Sequence, residues 1–141
     1  MSTATMLASL RHYKTALLTT YRRDGMTAVD TPVSIVVDGD RVLFRTWEDS
    51  GKAKRLRYHP IVDIRPCTFR GEPAGPAARG RVCPLEGAEA RRAAFLLGRS
   101  HPVLQRWALP LSYRLLRHRT LYYAVTLMDG EEIRSNEGCP D

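Results

Sequence analysis

The chain has 141 residues, the size of one domain. Hydrophobic residues make up 43% and charged residues 26%, a balance typical of a globular protein and not of a disordered one. The formal net charge of +7 predicts an anionic partner, either a polyanionic small molecule or a nucleic acid. The basic residues are spread along the chain, and no helix-turn-helix, zinc-finger or RNP pattern is visible, so we do not expect nucleic acid.

Three features of the sequence bear on location and metal binding. No apolar run approaches the ~18 residues that a membrane-spanning helix needs. The first ten residues lack a cationic segment before their apolar residues, which argues against a secretory signal. Cys67, Cys83 and Cys139 are odd in number and widely spaced, and they form neither a disulfide framework nor a metal-ligand pattern. We therefore expect a cytoplasmic protein without a metal site.

Periodicity and turn residues predict six strands and several helical segments. Two hairpin turns are expected at residues 22–25 and 38–40, because Asp-Gly accepts a positive φ at low cost. Alanine and leucine recur at helical spacing between residues 86 and 98. The predicted helices are 3–12, 51–58, 86–98 and 101–116, and the predicted strands are 15–21, 27–37, 41–46, 61–69, 78–85 and 120–127.

Pro32 interrupts the second predicted strand. A proline inside a strand indicates an edge, a bulge or a functional kink. Six strands joined mostly by tight turns, with helices inserted between them, favour a small closed β-barrel, a mainly β fold with inserted α-helices. We assign residues 1–127 to a single cofactor-binding domain and residues 128–141 to a polar C-terminal tail.

The segment 44–60 carries the main functional signal. A strand end is followed by a short acidic turn and then by a helix start with Ser50, Gly51 and Lys52. The free amides of a helix N-terminus and nearby cations together form an anion site. Two of the three lysines in the chain, Lys52 and Lys54, lie here. The segment predicts a phosphate site, and the alternative is the solvated basic face of a surface helix.

The order of these segments resembles the pyridoxamine 5′-phosphate oxidase-like split β-barrel superfamily. The resemblance rests on residues 17–25, 30–34, 37–46, 50–52 and 56–60 and extends over about residues 10 to 127. Within the superfamily the chain is similar to the actinobacterial flavin/deazaflavin oxidoreductases, most of which use the deazaflavin coenzyme F-420. The resemblance implies a homodimeric split β-barrel with the cofactor in a groove at the subunit interface.

The same resemblance implies a set of cofactor-binding residues. The cofactor ring is expected along the second strand, beside Thr31, Pro32, Val33 and Ser34. The phosphate is expected at Thr46, Ser50, Gly51 and Lys52, with Arg45, Lys54 and Arg55 as additional contacts. The flavin-using oxidases of the superfamily typically have an Arg-Lys pair where this chain has Gly51-Lys52. This departure favours coenzyme F-420 and leaves FMN as the alternative.

The implied function is hydride transfer from reduced coenzyme F-420 to an electron-poor small-molecule acceptor. The alternatives are an FMN-binding oxidoreductase of the same fold and a non-catalytic flavin- or deazaflavin-binding protein. No catalytic residue is assigned. The candidates for a proton donor are Tyr58, His59, Tyr113 and His118, and the candidates for a pocket wall are Trp47 and Trp107.

Residues 99–119 predict an amphipathic basic helix. Three interpretations stay open for it: a helix packed on the core, a contact of Arg114 and Arg117 with the coenzyme tail, and a peripheral membrane contact.

Overall fold

The computed structural model describes residues 3–47, 50–100 and 120–128 of the chain. In chain order the elements are α1 (Thr3–Leu10), β1 (Thr15–Tyr21), β2 (Ala28–Asp38), β3 (Arg41–Trp47), α2 (Gly51–Tyr58), β4 (Ile61–Pro66), β5 (Ala78–Leu85), α3 (Gly87–Ser100) and β6 (Thr120–Leu127). The six strands form one closed antiparallel barrel in the order β1-β2-β3-β6-β5-β4. The predicted mainly β fold with flanking helices is therefore confirmed.

Most predicted boundaries agree with the structure. β1, β5, β6 and α2 have the predicted bounds, and β2, β3, α1 and α3 differ at their ends by one or two residues. The predicted extension of β4 to residue 69 was wrong, because β4 leaves the ladder after Pro66 and Cys67 forms only an isolated bridge with Pro73. The predictions of a helix at 101–116 and of a tail beyond Met128 lie outside the described residues, and the domain boundary stays a prediction.

The barrel interior is the main hydrophobic core. Alternate residues of each strand point inward, since side chains in a strand have a period of two. Phe44 of β3 stacks on Tyr123 of β6, with ring centroids 5.2 Å apart. α1 adds Met6 and Leu10 to this core, and α2 adds Leu56. α1 and α2 therefore extend the barrel core.

α3 covers the outer face of β2, β3 and β6 and forms a second, smaller core. The buried residues of this core are Leu43, Leu85, Ala93 and Ala124. The helical spacing of small residues in α3 lets it lie close to the sheet. Both faces of β3 are consequently buried in its central part, where Val42, Leu43 and Phe44 follow one another.

β2 and β3 separate partway along their length. Their ladder runs only between Ile35–Asp38 and Arg41–Phe44, whereas β1 pairs with β2 from residue 28 to residue 34. Pro32 therefore lies where the described part of β2 has a partner on one side only, which fits a residue without an amide hydrogen. The edge interpretation is confirmed. The expected interruption was wrong, because the register with β1 continues through the Leu17–Pro32 pair.

The cysteines differ from the expectation. Cys67 is a buried free thiol, and burial raises its pKa. Cys83 is disulfide-bonded, which the sequence did not predict, because separation along a chain says nothing about distance in the fold. Within the described residues, no helix is both long and apolar enough to cross a bilayer.

Candidate functional site

The first turn of α2 is fixed to the end of β3 by a small hydroxyl network. Ser50 is the N-cap of α2, and its Oγ accepts a hydrogen bond from the Ala53 amide at 3.1 Å. The same oxygen lies 2.9 Å from Thr46 Oγ1. The amides of Gly51 and Lys52 precede the first intrahelical bond, from Lys54 N to Ser50 O, so they point outward from the positive end of the helix dipole. Ser50 thus orients a turn whose amides can bind an anion.

A second contact fixes α2 to β1. Arg55 Nε donates to Thr20 Oγ1 at 2.6 Å. Thr20 is fully buried, and its hydroxyl lies 3.4 Å from the Val29 carbonyl oxygen, which leaves the oxygen to accept from Arg55. The contact fixes the guanidinium between β1 and the first turn of α2, where Arg55 Nη1 faces Gly51. Gly51 makes room for this arrangement, because a Cβ at position 51 would lie 2.8 Å from Arg55 Nη1.

The two buried polar residues of the described chain both belong to this cluster. Thr20 and Thr46 are 0% and 6% exposed, and each lies on the inward-facing side of its strand. A polar side chain in a core costs free energy unless it is hydrogen-bonded. Both threonines find their partners around α2, so they anchor the first half of this helix to the barrel. We call the set Thr20, Thr46, Ser50, Gly51, Lys52 and Arg55 the α2 cluster.

The α2 cluster carries positive charge without a described counter-ion. Lys52 is partly buried, and burial, together with the nearby Arg55 charge, lowers the pKa of its ammonium group. Burial and the Arg22 charge likewise lower the pKa of Arg55. The ion pairs among the described residues are Arg41–Glu89, Arg79–Asp63 and Arg92–Asp38, and none includes a residue of the α2 cluster. An anion bound here would favour both charged forms.

The structure groups five of the seven predicted phosphate contacts. Thr46, Ser50, Gly51 and Arg55 are joined by the contacts above, and Lys52 is close enough for its charge to interact with that of Arg55. Arg45 lies on the opposite face of β3 from Thr46, as the alternation of a strand requires. Lys54 is exposed on α2. These two residues therefore lie apart from the α2 cluster.

The predicted ring-binding residues lie along the free edge of β2. Val33 is buried in the barrel core, Thr31 and Ser34 are partly buried, and Pro32 is exposed. A loop approaches Pro32, since a Cβ on Gly71 would lie 3.2 Å from the proline ring. Thr31 pairs with Leu18, two residues along β1 from Thr20. Residues 31–34 and the α2 cluster are therefore neighbours along β1. The role of residues 31–34 in ring binding stays a prediction.

Sequence reasoning missed Thr20. Ala16, Leu18 and Thr20 share the inward face of β1, so a threonine where the pattern calls for an apolar residue was the available signal. The contact that gives it meaning, to Arg55, spans 35 residues and is not visible in the sequence.

The candidate proton donors lie at the far end of α2 or outside the described residues. Tyr58 is exposed and packs under the Arg23 guanidinium, which lies 5.2 Å from the ring centroid. His59 Nε2 lies 3.3 Å from the Arg23 carbonyl oxygen. Tyr113, His118, Trp107, Arg114 and Arg117 fall outside the described residues, as does the side chain of Trp47.

An unpredicted polar network lies on the outer face of β1, β4 and β5. Tyr21 donates its hydroxyl to Asp63 Oδ2 at 2.5 Å, and Arg79 Nε donates to Asp63 Oδ1 at 3.2 Å. The hydrogen bond to Asp63 raises the pKa of Tyr21, which makes its phenol a weaker acid. Within the described ranges, no three His, Cys, Asp or Glu side chains are grouped as metal ligands.

No protein-family model and no curated protein match the sequence. Solved structures do match the fold. A proposed pyridoxamine 5′-phosphate oxidase from Listeria innocua superposes with a TM-score of 0.63 at 13% identity, covering 90% of this chain and 94% of its own. The heme storage protein HutZ from Vibrio cholerae gives 0.63 at 14% identity, with 92% of this chain and 93% of its own covered. An FAD-binding protein from Mesorhizobium loti gives 0.61 at 11% identity, with 92% and 91% covered.

These likenesses confirm the fold that the sequence resemblance implied. The chain has the split β-barrel of the pyridoxamine 5′-phosphate oxidase-like proteins. Because the three neighbours are named for different ligands, the shared fold does not decide what this barrel binds.

Proposed function

We propose that this chain is an oxidoreductase that uses coenzyme F-420 to transfer a hydride to an electron-poor small-molecule acceptor. The observation that carries the proposal is the α2 cluster, in which buried Thr20 holds Arg55, Thr46 and Ser50 hold the first turn of the helix, and the two cations have no described counter-ion. Such an arrangement is suited to a phosphate-bearing ligand.

Each residue of the α2 cluster has a role in the proposed site. The amides of Gly51 and Lys52 and the Lys52 ammonium would hold the coenzyme phosphate. Arg55, fixed by Thr20, would supply a second cation, and Thr46 and Ser50 would keep the turn in position. The bound coenzyme supplies the hydride, and the protein supplies binding and orientation.

The ring is proposed to lie beside Thr31, Pro32, Val33 and Ser34. The positions opposite Thr20 and Leu18 on β2 are Val29 and Thr31, and two residues of a strand span about 7 Å. This separation suits a cofactor whose ring and phosphate are joined by a short chain. The part of β2 before Ile35 has no described β3 partner, which leaves backbone groups along this edge available to the ring.

The choice of coenzyme F-420 over FMN rests on Gly51 and on charge. Glycine stands at position 51 where the flavin-using oxidases have arginine, and a net charge of +7 suits a coenzyme with a phosphate and an oligoglutamate tail. FMN is the second candidate, supported by the FAD-binding neighbour of the same fold. We further propose that the protein is a cytoplasmic homodimer whose groove completes the site.

The proposal is tested by titrating the purified protein with oxidised coenzyme F-420, FMN and hemin in parallel, followed by absorbance and fluorescence. We expect saturable micromolar or tighter binding of coenzyme F-420, with FMN and hemin weaker. Preference for FMN would move the protein to the flavin-using enzymes, and preference for hemin would overturn the redox proposal. Oxidation of reduced coenzyme F-420 with a panel of quinones and unsaturated acceptors then separates an enzyme from a carrier.

A further inference from the structure

A second cationic cavity lies at the other end of β1 from the α2 cluster. Its volume is about 460 Å³, and its lining includes Arg11, Tyr13, Lys14, Val36, Val37 and Arg99. Lys14 directly precedes β1, whereas Thr20 lies six residues further along, a distance of roughly 20 Å in an extended strand. The cavity is therefore separate from the proposed phosphate site, and the inference about it does not depend on the proposed function.

Among the residues that the structure describes, the lining of this cavity holds three cations and no carboxylate. Arg11 Nη2 donates to the Gly39 carbonyl oxygen at 2.8 Å, and this bond holds the Arg11 guanidinium at the turn of the β2–β3 hairpin. The nearby Asp38 is already occupied by two hydrogen bonds from Arg92, at 2.9 and 3.1 Å. Asp40 is exposed and does not line the cavity. The positive charge around the cavity is therefore not balanced by the carboxylates of the hairpin.

The cavity also has an apolar side. Val36 and Val37 are partly buried on opposite faces of β2, Val36 toward the second core and Val37 toward the barrel core, and Tyr13 contributes an aromatic ring with a hydroxyl donor. A volume of several hundred Å³ is large enough for a small molecule, and the lining combines apolar side chains with charged ones. Guanidinium groups bind carboxylates and phosphates through paired hydrogen bonds, which gives direction as well as charge.

We propose that this cavity binds a small organic anion, with an apolar or aromatic body against the apolar part of its lining and a carboxylate or phosphate group held by Arg11, Lys14 and Arg99. The charge and the apolar wall are both required. A bare inorganic anion would leave the apolar part of the lining uncovered, and a neutral aromatic compound would leave the three cations without a counter-charge.

The test is a titration of the ¹⁵N-labelled full chain with phenyl phosphate, phenylacetate and benzyl alcohol, followed by amide chemical shifts. The proposal expects at least one of the two anions to shift the amides of Tyr13, Lys14, Val36 and Val37, and expects benzyl alcohol to shift them much less. Whichever anion binds more tightly identifies the charged group. Shifts confined to Thr20 and residues 50–55 would overturn the proposal, and so would equal binding of benzyl alcohol.

A matched pair of variants on α3 makes the test specific. Arg99→Gln removes a lining cation, and Arg91→Gln removes an exposed arginine of the same helix that does not line the cavity. We expect Arg99→Gln to weaken binding of the anion about tenfold and Arg91→Gln to leave it unchanged. If the two substitutions weakened anion binding equally, the effect would come from the loss of positive charge in general, and this result would contradict a specific binding site in the cavity.

Discussion

Two groups of basic residues in this barrel differ in their partners. On the outer face, Arg79 is paired with Asp63, and Arg92 forms a bidentate ion pair with Asp38. At the start of α2, Arg55 is bonded to a neutral threonine hydroxyl, and Lys52 lies beside it. The outer arginines have pKa values raised by their carboxylates, whereas burial lowers the pKa values of Lys52 and Arg55.

The difference separates charges that stabilise the fold from charges that are held for a ligand. A carboxylate partner satisfies a cation within the chain, and removing either member affects stability. A cation that is partly desolvated and fixed by a neutral group has lost hydration without gaining a counter-charge, and a bound anion would restore the balance. Substitutions in the first group are therefore expected to change stability, and those in the second to change binding.

The largest expected effect is that of Lys52→Ala on coenzyme binding. Loss of a charge-assisted hydrogen bond to phosphate should weaken binding by about 1.5–3 kcal/mol. The free energy of unfolding should not fall, because burial already disfavours the charged ammonium group. Lys54→Ala, two residues along the same helix and exposed, is the control for charge alone. A dissociation constant for coenzyme F-420 that is unchanged in Lys52→Ala would remove Lys52 from the site.

Thr20→Val should have a smaller effect on the same property. The substitution keeps the shape of the side chain but removes the oxygen that accepts from Arg55 Nε at 2.6 Å, so we expect binding to weaken by about 1 kcal/mol. Thr19→Val is a matched control, since Thr19 donates to Asp30 on the other face of β1. Equal dissociation constants for the two variants in a fluorescence titration would show that Arg55 does not need Thr20.

Asp63→Asn should show the opposite pattern. Its ion pair with Arg79 would be lost, and the free energy of unfolding should fall by about 0.5–1 kcal/mol, a modest amount because Arg79 is 45% exposed. Affinity for the coenzyme should not change. Urea unfolding measures the first quantity, with Asp40→Asn as an exposed control. If Asp63→Asn instead weakened coenzyme binding as much as Lys52→Ala, the division into two groups would fail.

The smallest effect is a dependence on pH at Asp38. Hydrogen bonds from Arg92 hold the pKa of this carboxyl below its usual 3.8 in the folded chain. A lowered folded pKa contributes stability that is present above pH 3.8 and is lost as the pH falls through the folded pKa. The stability difference between the natural chain and Asp38→Asn should therefore shrink in acid. If the stability difference between the two proteins stayed constant as the pH fell well below 3.8, the ion pair would add no stability.

The sequence predicted those elements whose limits are set locally. α2 is bounded by the Ser50 cap and by the His59-Pro60 pair, and the hairpin turns after β1 and β2 carry glycines with positive φ. The end of β4 was predicted wrongly because it depends on the length of its partner strand, β1. Cys67 donates to the Thr15 carbonyl oxygen at the first residue of β1, and beyond that point β1 has no residues to pair with β4.

In the candidate site, too, the residues that are close in the sequence were predicted and the contacts between distant residues were missed. Thr46, Ser50, Gly51 and Lys52 are close in sequence, so their proximity could be predicted, and Arg55 follows one helical turn later. Strand alternation already placed Arg45 on the other face from Thr46. Thr20 and the Tyr21–Asp63–Arg79 network could not be predicted, because their contacts join β1 to α2, β4 and β5 across the folded barrel.

The most direct measurement is a crystal structure of the protein with coenzyme F-420 bound. The account predicts the phosphate within hydrogen-bond distance of the Gly51 and Lys52 amides and the Lys52 ammonium, with the ring along Thr31–Ser34. A phosphate found elsewhere, for example between Arg11, Lys14 and Arg99, would contradict the assignment of the α2 cluster as the phosphate site.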